Sequence, residues 1–199
     1  MLRSDARENR DRAVEAARSL FAEQGIDVPM REVARRAGIG PATLYRRFPT
    51  KQSLVEHAFA RELGECRAIV VEGCTDPDPW RGFRSVIERI SLLNAHNHAF
   101  VQAFLAATPA AEEFTEHRAA LIRMLAGLAH RAQAVGGLRA DFVVEDLVLV
   151  LLAGRAIATV PVGSRPAAAR RFAALAIDAL RASDAHGALP PPPRVGADL

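Results

Sequence analysis

The sequence is poor in the residues on which several classes of protein depend. It contains only two cysteines, Cys66 and Cys74, which cannot build a disulfide framework, so we expect reduced thiols and a cytoplasmic protein. Two interpretations of these cysteines stay open. They act together as a redox sensor, or they are simply small residues buried in the core. Aromatic residues make up only 6% of the chain, and no alternation of apolar and polar residues predicts a strand. With helix-forming residues dominant, the composition predicts an all-α fold.

The sequence also lacks a hydrophobic run of membrane-spanning length. The most apolar run, residues 147–153, ends at Gly154-Arg155 and is far shorter than the ~20 residues that cross a bilayer. The first eighteen residues carry charges of both signs, unlike a signal peptide. We therefore expect no membrane partner.

Motifs for catalysis or metal binding are missing as well. The chain has no nucleophile elbow, no phosphate-binding glycine loop, no His-Glu-x-x-His and no paired-cysteine zinc pattern. His96 and His98 are two residues apart, so on a helix they would diverge, unlike the i, i+4 pair of a helical metal site. We expect neither an enzyme, nor a cofactor, nor a metal site.

Positive charge is concentrated at the N-terminal end of the chain. The whole protein has a net charge of +3, whereas residues 1–61 hold twelve basic and eight acidic side chains. The single lysine, Lys51, lies in this segment. A basic end is the electrostatic pattern of a nucleic-acid partner.

Two short helices joined by a glycine turn stand at the centre of this basic end. Met30–Ala37 has apolar residues at helical spacing, and Gly38 can adopt the left-handed conformation that ends a helix. Pro41 suits the first position of the next helix. Leu44 and Phe48 are four residues apart and face inward together, which leaves hydroxyl and basic groups outside. The pattern predicts a helix-turn-helix, whose second helix suits the major groove.

This stretch resembles the tetracycline-repressor (TetR) family of transcriptional regulators over roughly residues 10–59. The resemblance implies a homodimer that binds a palindromic operator in double-stranded DNA and responds to a small-molecule effector, most often as a repressor. The matching positions are Leu20, Phe21, Gly25, Val33, Ala34, Ala37, Gly38, Ile39, Thr43, Leu44, Tyr45, Phe48, Lys51 and Leu54.

The resemblance also implies roles for individual side chains. Tyr45, Arg47 and Lys51 would bind phosphate, while Arg46 would read base edges, as an arginine can with two hydrogen bonds to guanine. The full predicted DNA-binding set is Arg31, Pro41, Ala42, Thr43, Tyr45, Arg46, Arg47 and Lys51.

One position departs from the family. A threonine usually contacts phosphate at the start of the second helix, and here Val28-Pro29-Met30 occupies that place. This departure motivates the alternative, a helical ligand-binding or scaffolding protein that has lost DNA binding.

The remainder of the chain predicts a second helical region. We assign residues 1–60 to the DNA-binding domain, 61–184 to a ligand-binding and dimerisation domain, and 185–199 to a flexible proline-rich tail. Helix one is expected over residues 9–24, and a long helix from Lys51 is expected to end at Gly73. Further helices are expected over residues 79–93, 99–107, 110–135, 144–160 and 166–182.

The second domain offers candidate effector contacts but no motif. A few polar groups in an otherwise apolar pocket would orient a small molecule. The candidates by position are Asn94, His96, Asn97, Gln102 and His117. An enzyme acting on a small molecule in this domain is a third hypothesis.

Overall fold

The computed structural model describes residues 2–97, 99–100 and 112–192, and throughout these ranges its regular structure is helical. The all-α prediction, with an N-terminal helix-turn-helix followed by a helical domain, is confirmed. The α-helices are α1 Leu2–Gln24, α2 Met30–Ala37, α3 Pro41–Arg47, α4 Lys51–Thr75, α5 Pro79–His96, α6 Glu112–Ala134, α7 Val144–Gly154 and α8 Arg165–Leu180. Two 3-10 helices, Arg155–Thr159 and Val162–Ser164, connect α7 to α8.

Several helix ends differ from the predicted ones. Helix α1 begins at Leu2 rather than at residue 9. Residues 2–8 are mostly polar, but they include neither glycine nor proline and form helix readily. Helix α5 continues to His96. Helix α7 stops at Gly154 rather than Val160, and the chain tightens into a 3-10 turn before Pro161. The helix predicted over residues 99–107 lies almost wholly outside the described residues. None of the described helices is both long and apolar enough to cross a membrane.

The chain divides into two compact units, the first comprising residues 1–63 and 99–115 and the second residues 64–98 and 116–199. The core of the first unit contains fully buried Leu20, Phe21, Leu44 and Phe59. The rings of Phe21 and Phe59 lie 6.0 Å apart between centroids. Burial of such side chains contributes about 1.5–3 kcal/mol each, so this small domain has a proper apolar core.

An ion pair between half-buried Arg18 and buried Glu62 joins α1 to α4 within the first unit. The guanidinium of Arg18 donates two hydrogen bonds to the carboxylate of Glu62, one of them 3.0 Å long, and another to the carbonyl oxygen of Ala58. Glu62 is only 5% exposed. A carboxylate so far from water needs such a partner, so the pair ties α1 to the first part of α4.

In the second unit, α4 and α5 cross at a pair of glycines. A Cβ atom on Gly82 would lie 2.2 Å from the carbonyl oxygen of Gly73, and one on Gly73 would lie 2.4 Å from a methyl of Val86. The backbones therefore approach as closely as glycine permits. The prediction that Gly73 ends the helix is wrong, because α4 continues to Thr75 and uses Gly73 for packing.

We expect Gly82→Ala to lower the free energy of unfolding by about 1–3 kcal/mol, since the new methyl group meets backbone that cannot rotate away. Gly127→Ala is the matched control. Gly127 also lies inside a helix but has no atom within 4 Å of the position of a Cβ, so alanine should stabilise the protein by about 0.5–1 kcal/mol. Urea unfolding at one protein concentration measures both. Equal stabilisation by the two substitutions would contradict the close crossing.

The segment after α8 is held to the second unit by Arg139 and Asp141. The two side chains form a bidentate ion pair, Arg139 also donates to the carbonyl oxygen of Gly187 at 2.8 Å, and the N–H of Leu189 donates to Asp141 at 2.9 Å. The Arg139 guanidinium and then the Leu189 N–H lower the pKa of Asp141 to about 2. Because a depressed pKa keeps the carboxylate charged above that value, these contacts persist at neutral pH and weaken only as the pH falls towards 2.

Candidate DNA-binding surface

The turn between α2 and α3 has the geometry that its glycines predict. Gly38 adopts the left-handed conformation, with φ of 65°, and its N–H donates to the carbonyl oxygen of Arg35 at 3.2 Å. The N–H of Ile39 donates to the carbonyl oxygen of Ala34 at 3.0 Å, so two of the four carbonyls in the last turn of α2 are satisfied. Gly40 caps α3 with extended backbone, and Pro41 occupies its first turn. The first predicted helix of the motif is confirmed over Met30–Ala37, and the second begins at Pro41 as predicted.

Two side chains fix α3 against the core of its unit. Leu44 and Phe48 are fully buried, as their four-residue spacing predicts. Phe48 also packs edge-on against the ring of His57 in α4, with centroids 5.3 Å apart. Because these anchors define which side of α3 is inside, they also define which side meets solvent.

The outward side of α3 carries the predicted contact residues. Tyr45, the single tyrosine of the sequence, is 50% exposed. Lys51 and Thr43 are half-buried, and the other members of the set are exposed: Arg31, Pro41, Ala42, Arg46 and Arg47. The whole predicted set is thus accessible, and its binding to DNA stays a prediction.

Ion pairing separates the arginines of this domain into two groups. Arg35 pairs with Glu32 within α2, and Arg36 pairs with Glu23 of α1 at 3.0 Å. Hydrogen bonds from these guanidiniums lower the pKa of both glutamates. The charges of Arg35 and Arg36 are therefore already neutralised locally.

The predicted contact residues form the other group. Within the described part of the chain, no carboxylate forms an ion pair with Arg31, Arg46, Arg47 or Lys51. Arg31 still lies close enough to Glu32 for its charge to help lower the pKa of that carboxylate, whereas Arg46, Arg47 and Lys51 have no such acidic neighbour among the described residues. Such a surface attracts a polyanion, and the sequence could not distinguish these cations from the paired ones.

Within α3, the structure joins two of the predicted residues. The guanidinium of Arg46 donates a hydrogen bond from Nη2 to the hydroxyl oxygen of Thr43 at 3.3 Å. The two residues are three apart and therefore lie on the same side of the helix.

The first turn of α4 positions Lys51. The hydroxyl oxygen of Thr50 accepts a hydrogen bond from the N–H of Ser53 at 3.0 Å and so caps the start of the helix. The sequence did not single out His57, whose exposed ring contacts Phe48 and whose Nδ1 lies 2.7 Å from the carbonyl oxygen of Ser53. No periodic spacing relates His57 to Phe48, so only the folded structure reveals the contact.

The start of α2 shows the physical consequence of the missing threonine. Pro29 occupies the cap position and makes no side-chain hydrogen bond to the helix. Met30 is 7% exposed and Val28 is 4% exposed, so both side chains belong to the core. Neither side chain offers a hydroxyl group, so the phosphate contact that the family's threonine makes has no counterpart in a side chain at positions 28–30.

The candidate effector residues fall on two helices of the second unit. Asn94 lies in the last turn of α5, Asn97 follows that helix as its C-cap, and His117 lies in α6; all three are half-buried. The side chain of His96 and the whole of Gln102 lie outside the described residues. The effector contacts therefore stay a prediction.

The cysteines have the environment of packing residues. Burial raises the pKa of the Cys66 thiol to about 12 and raises that of Cys74 as well. The thiol of Cys74 donates to the carbonyl oxygen of Met124 at 3.5 Å. Raised pKa values disfavour the reactive thiolate, so the redox alternative gains no support. Among the described residues, no cluster of histidine, cysteine, aspartate and glutamate could hold a metal ion.

Comparison with known proteins identifies relatives of the N-terminal part. Residues 13–58 match the family described as "Bacterial regulatory proteins, tetR family". An HTH-type transcriptional regulator of Staphylococcus aureus (strain USA300) is 43% identical over 63 residues, which are 31% of this chain and 34% of that protein. The match thus spans about a third of the length of this relative.

Solved structures resemble a much larger part of the chain. A TetR transcriptional regulator from Streptomyces coelicolor is 27% identical, with a TM-score of 0.53 over 87% of this chain and 99% of the other. A second TetR family member from the same organism is 23% identical, with a TM-score of 0.67 over 85% and 90% of the two chains. The similarity in fold therefore continues beyond the helix-turn-helix.

Proposed function

The chain belongs to the TetR family of bacterial transcriptional regulators, and from this premise we propose that it is a DNA-binding repressor that acts as a homodimer on a palindromic operator. The observation that carries the proposal is the outward side of α3. Tyr45, Arg46 and Arg47 are exposed there, and the cations have no carboxylate partner among the described residues. Repression would follow because the bound protein blocks access to a promoter, and we place this activity in the cytoplasm.

We propose complementary roles for the residues around α3. A helix in the major groove presents its leading residues to base edges, so Pro41 and Ala42 would read sequence there, together with Arg46 from the last turn of the helix. Tyr45, Arg47 and Lys51 reach the phosphates beside the groove, where a phenol, a guanidinium and an ammonium each bind an oxygen. Arg31 would approach the DNA from α2.

The proposed homodimer rests on an apolar stripe along α8. Ala169, Ala173, Ile177 and Leu180 face the interior of the protomer. The stripe beside them is half-buried or exposed and comprises Ala168, Phe172, Leu175, Ala176 and Ala179. Leu180, at the end of α8, lies outside this stripe and belongs to the protomer core.

Helix α7 supplies further apolar surface. It is apolar nearly all round, yet Leu147 is its only buried residue, and Leu149 is 37% exposed. Val162, between α7 and α8, is 72% exposed. Two helices from each protomer could bury this surface in a four-helix interface.

We further propose that a small, largely apolar effector binds in the second unit and releases the DNA. Asn94, His96, Asn97, Gln102 and His117 are the candidates to orient it. A preference of ~1–3 kcal/mol for the released form would change operator affinity about 5- to 150-fold, and the operator must weaken effector binding by the same factor.

The alternative, a ligand-binding or scaffolding protein without DNA binding, is motivated by the missing threonine at α2. It explains neither the exposed Tyr45 nor the uncompensated cations on α3. An enzyme in the second unit is the third hypothesis, and turnover of a bound small molecule would reveal it. The regulator is favoured because both the family and the charge pattern point to DNA.

The decisive experiment offers the full-length protein a pool of random-sequence DNA duplexes and sequences the retained fraction. We expect an inverted repeat whose half-sites are centred about one helical turn, ~34 Å, apart. Affinity for the recovered duplex should fall steeply with salt, because bound cations release counterions from phosphate. Recovery of no common sequence, at any salt concentration, would favour the scaffolding alternative.

A further inference from the structure

A hydrogen bond within the exposed surface of α3 gives one of its residues an indirect role. Arg46 is exposed, yet its Nη2 donates to Thr43 Oγ1 at 3.3 Å. Arg47, the next residue, is equally exposed and makes no such bond to a described residue. Two adjacent arginines of one short helix are therefore held differently before any DNA is present.

Resting on the proposed function, we propose that Thr43 is a positioning residue that orients Arg46 for reading a base pair. A guanidinium carries five N–H donors, and Thr43 occupies only one of them. The remaining donors can still form the two parallel bonds that recognise guanine O6 and N7. The threonine therefore restrains the arginine without consuming its recognition capacity.

The restraint matters because of the conformational freedom of arginine. A free arginine side chain loses much rotamer entropy when it binds, which weakens the contact. A hydrogen bond to the same helix already restricts that freedom in the unbound protein. Thr43 is itself half-buried and β-branched, so its hydroxyl has few positions available. Part of the ordering cost is thus met before the encounter with DNA.

The proposal separates two ways in which Thr43 can contribute. A hydroxyl that binds phosphate directly would strengthen binding to every sequence by the same factor. A hydroxyl that orients Arg46 would strengthen binding only where the correct base pair is present. The measured quantity is therefore a preference, the ratio of dissociation constants for two duplexes that differ at one base pair in both half-sites.

The experiment uses the full-length protein and the inverted-repeat duplex that the wild type recovers from a random pool. The second duplex differs from the first at one base pair in each half-site. This base pair is the one whose identity no longer affects the affinity of the Arg46→Ala protein. We expect Thr43→Val to reduce the preference about five- to a hundredfold, because the dimer loses the hydrogen bond in both half-sites. Thr43→Ser, which keeps the hydroxyl group, should retain most of it. In the Arg46→Ala background, Thr43→Val should change the preference no further.

The controls keep each outcome distinct. Far-UV circular dichroism and the thermal midpoint must show that each variant is folded, and Arg47→Ala should weaken both duplexes equally. If Thr43→Val weakens both duplexes by one factor, Thr43 binds phosphate and the inference is overturned. If Arg46→Ala changes no preference although the wild type selects a sequence, only the inference fails. If the wild type selects no sequence, the proposed function fails with it.

Discussion

Leu175→Arg is expected to convert the protein from a dimer into a folded monomer and to lower operator affinity by about 10²- to 10⁴-fold, the factor that linking two binding modules provides. Leu175 is 62% exposed on α8 and lies on the apolar stripe. In a single protomer the arginine would point into water and cost little. In the proposed interface it would be buried without a partner, which no four-helix packing tolerates. Sedimentation velocity measures the mass, and a binding titration with the recovered operator measures the affinity.

The chain supplies a closely matched control for this substitution. Val135 is 61% exposed beyond the end of α6, outside the proposed interface, so Val135→Arg introduces the same charge at the same exposure. It should leave both mass and affinity unchanged. A Leu175→Arg protein that remains dimeric, with wild-type circular dichroism, would place the dimer interface elsewhere.

The fold could be predicted best where glycine and proline set the helix ends. Both ends of α2 and the start of α3 agree with the prediction, because Gly38 and Pro41 are local signals that need no tertiary context. The prediction failed at Gly73, since the same residue type served a close helix crossing with Gly82. A glycine that ends a helix and one that admits a neighbour are alike in sequence, and only the partner distinguishes them.

The candidate site, like the fold, has features that the sequence predicts and contacts that only the structure reveals. Helical periodicity predicted that Leu44 is buried and that Tyr45 and Arg46 are exposed, which the structure confirms. It could not predict that Arg36 pairs with Glu23, thirteen residues away, or that Arg46 bonds to Thr43. Effector contacts are harder still, because the residues lining a pocket come from separate helices and obey no common spacing.

Lys51→Ala is expected to weaken binding to the operator and to unrelated DNA alike, by about a hundredfold each. Lys51 begins α4, where Thr50 caps the helix, and no described carboxylate pairs with it. A charged hydrogen bond to phosphate contributes about 1.5 kcal/mol at the lower end of its range, and the dimer loses two of them. The slope of log affinity against log salt should therefore become shallower by about two. Fluorescence anisotropy at several salt concentrations measures both quantities.

Three further variants separate a phosphate contact from a general change in charge. Arg123→Ala removes the same charge from an exposed position in the second unit and should change neither affinity nor slope. Lys51→Arg keeps the charge and should retain most of the binding. Tyr45→Phe removes a neutral phosphate donor, so it should weaken all duplexes while leaving the salt slope unchanged. If Lys51→Ala instead weakened only the operator, Lys51 would contact a base, and the division of α3 and α4 into base-reading and phosphate-binding residues would have to be redrawn.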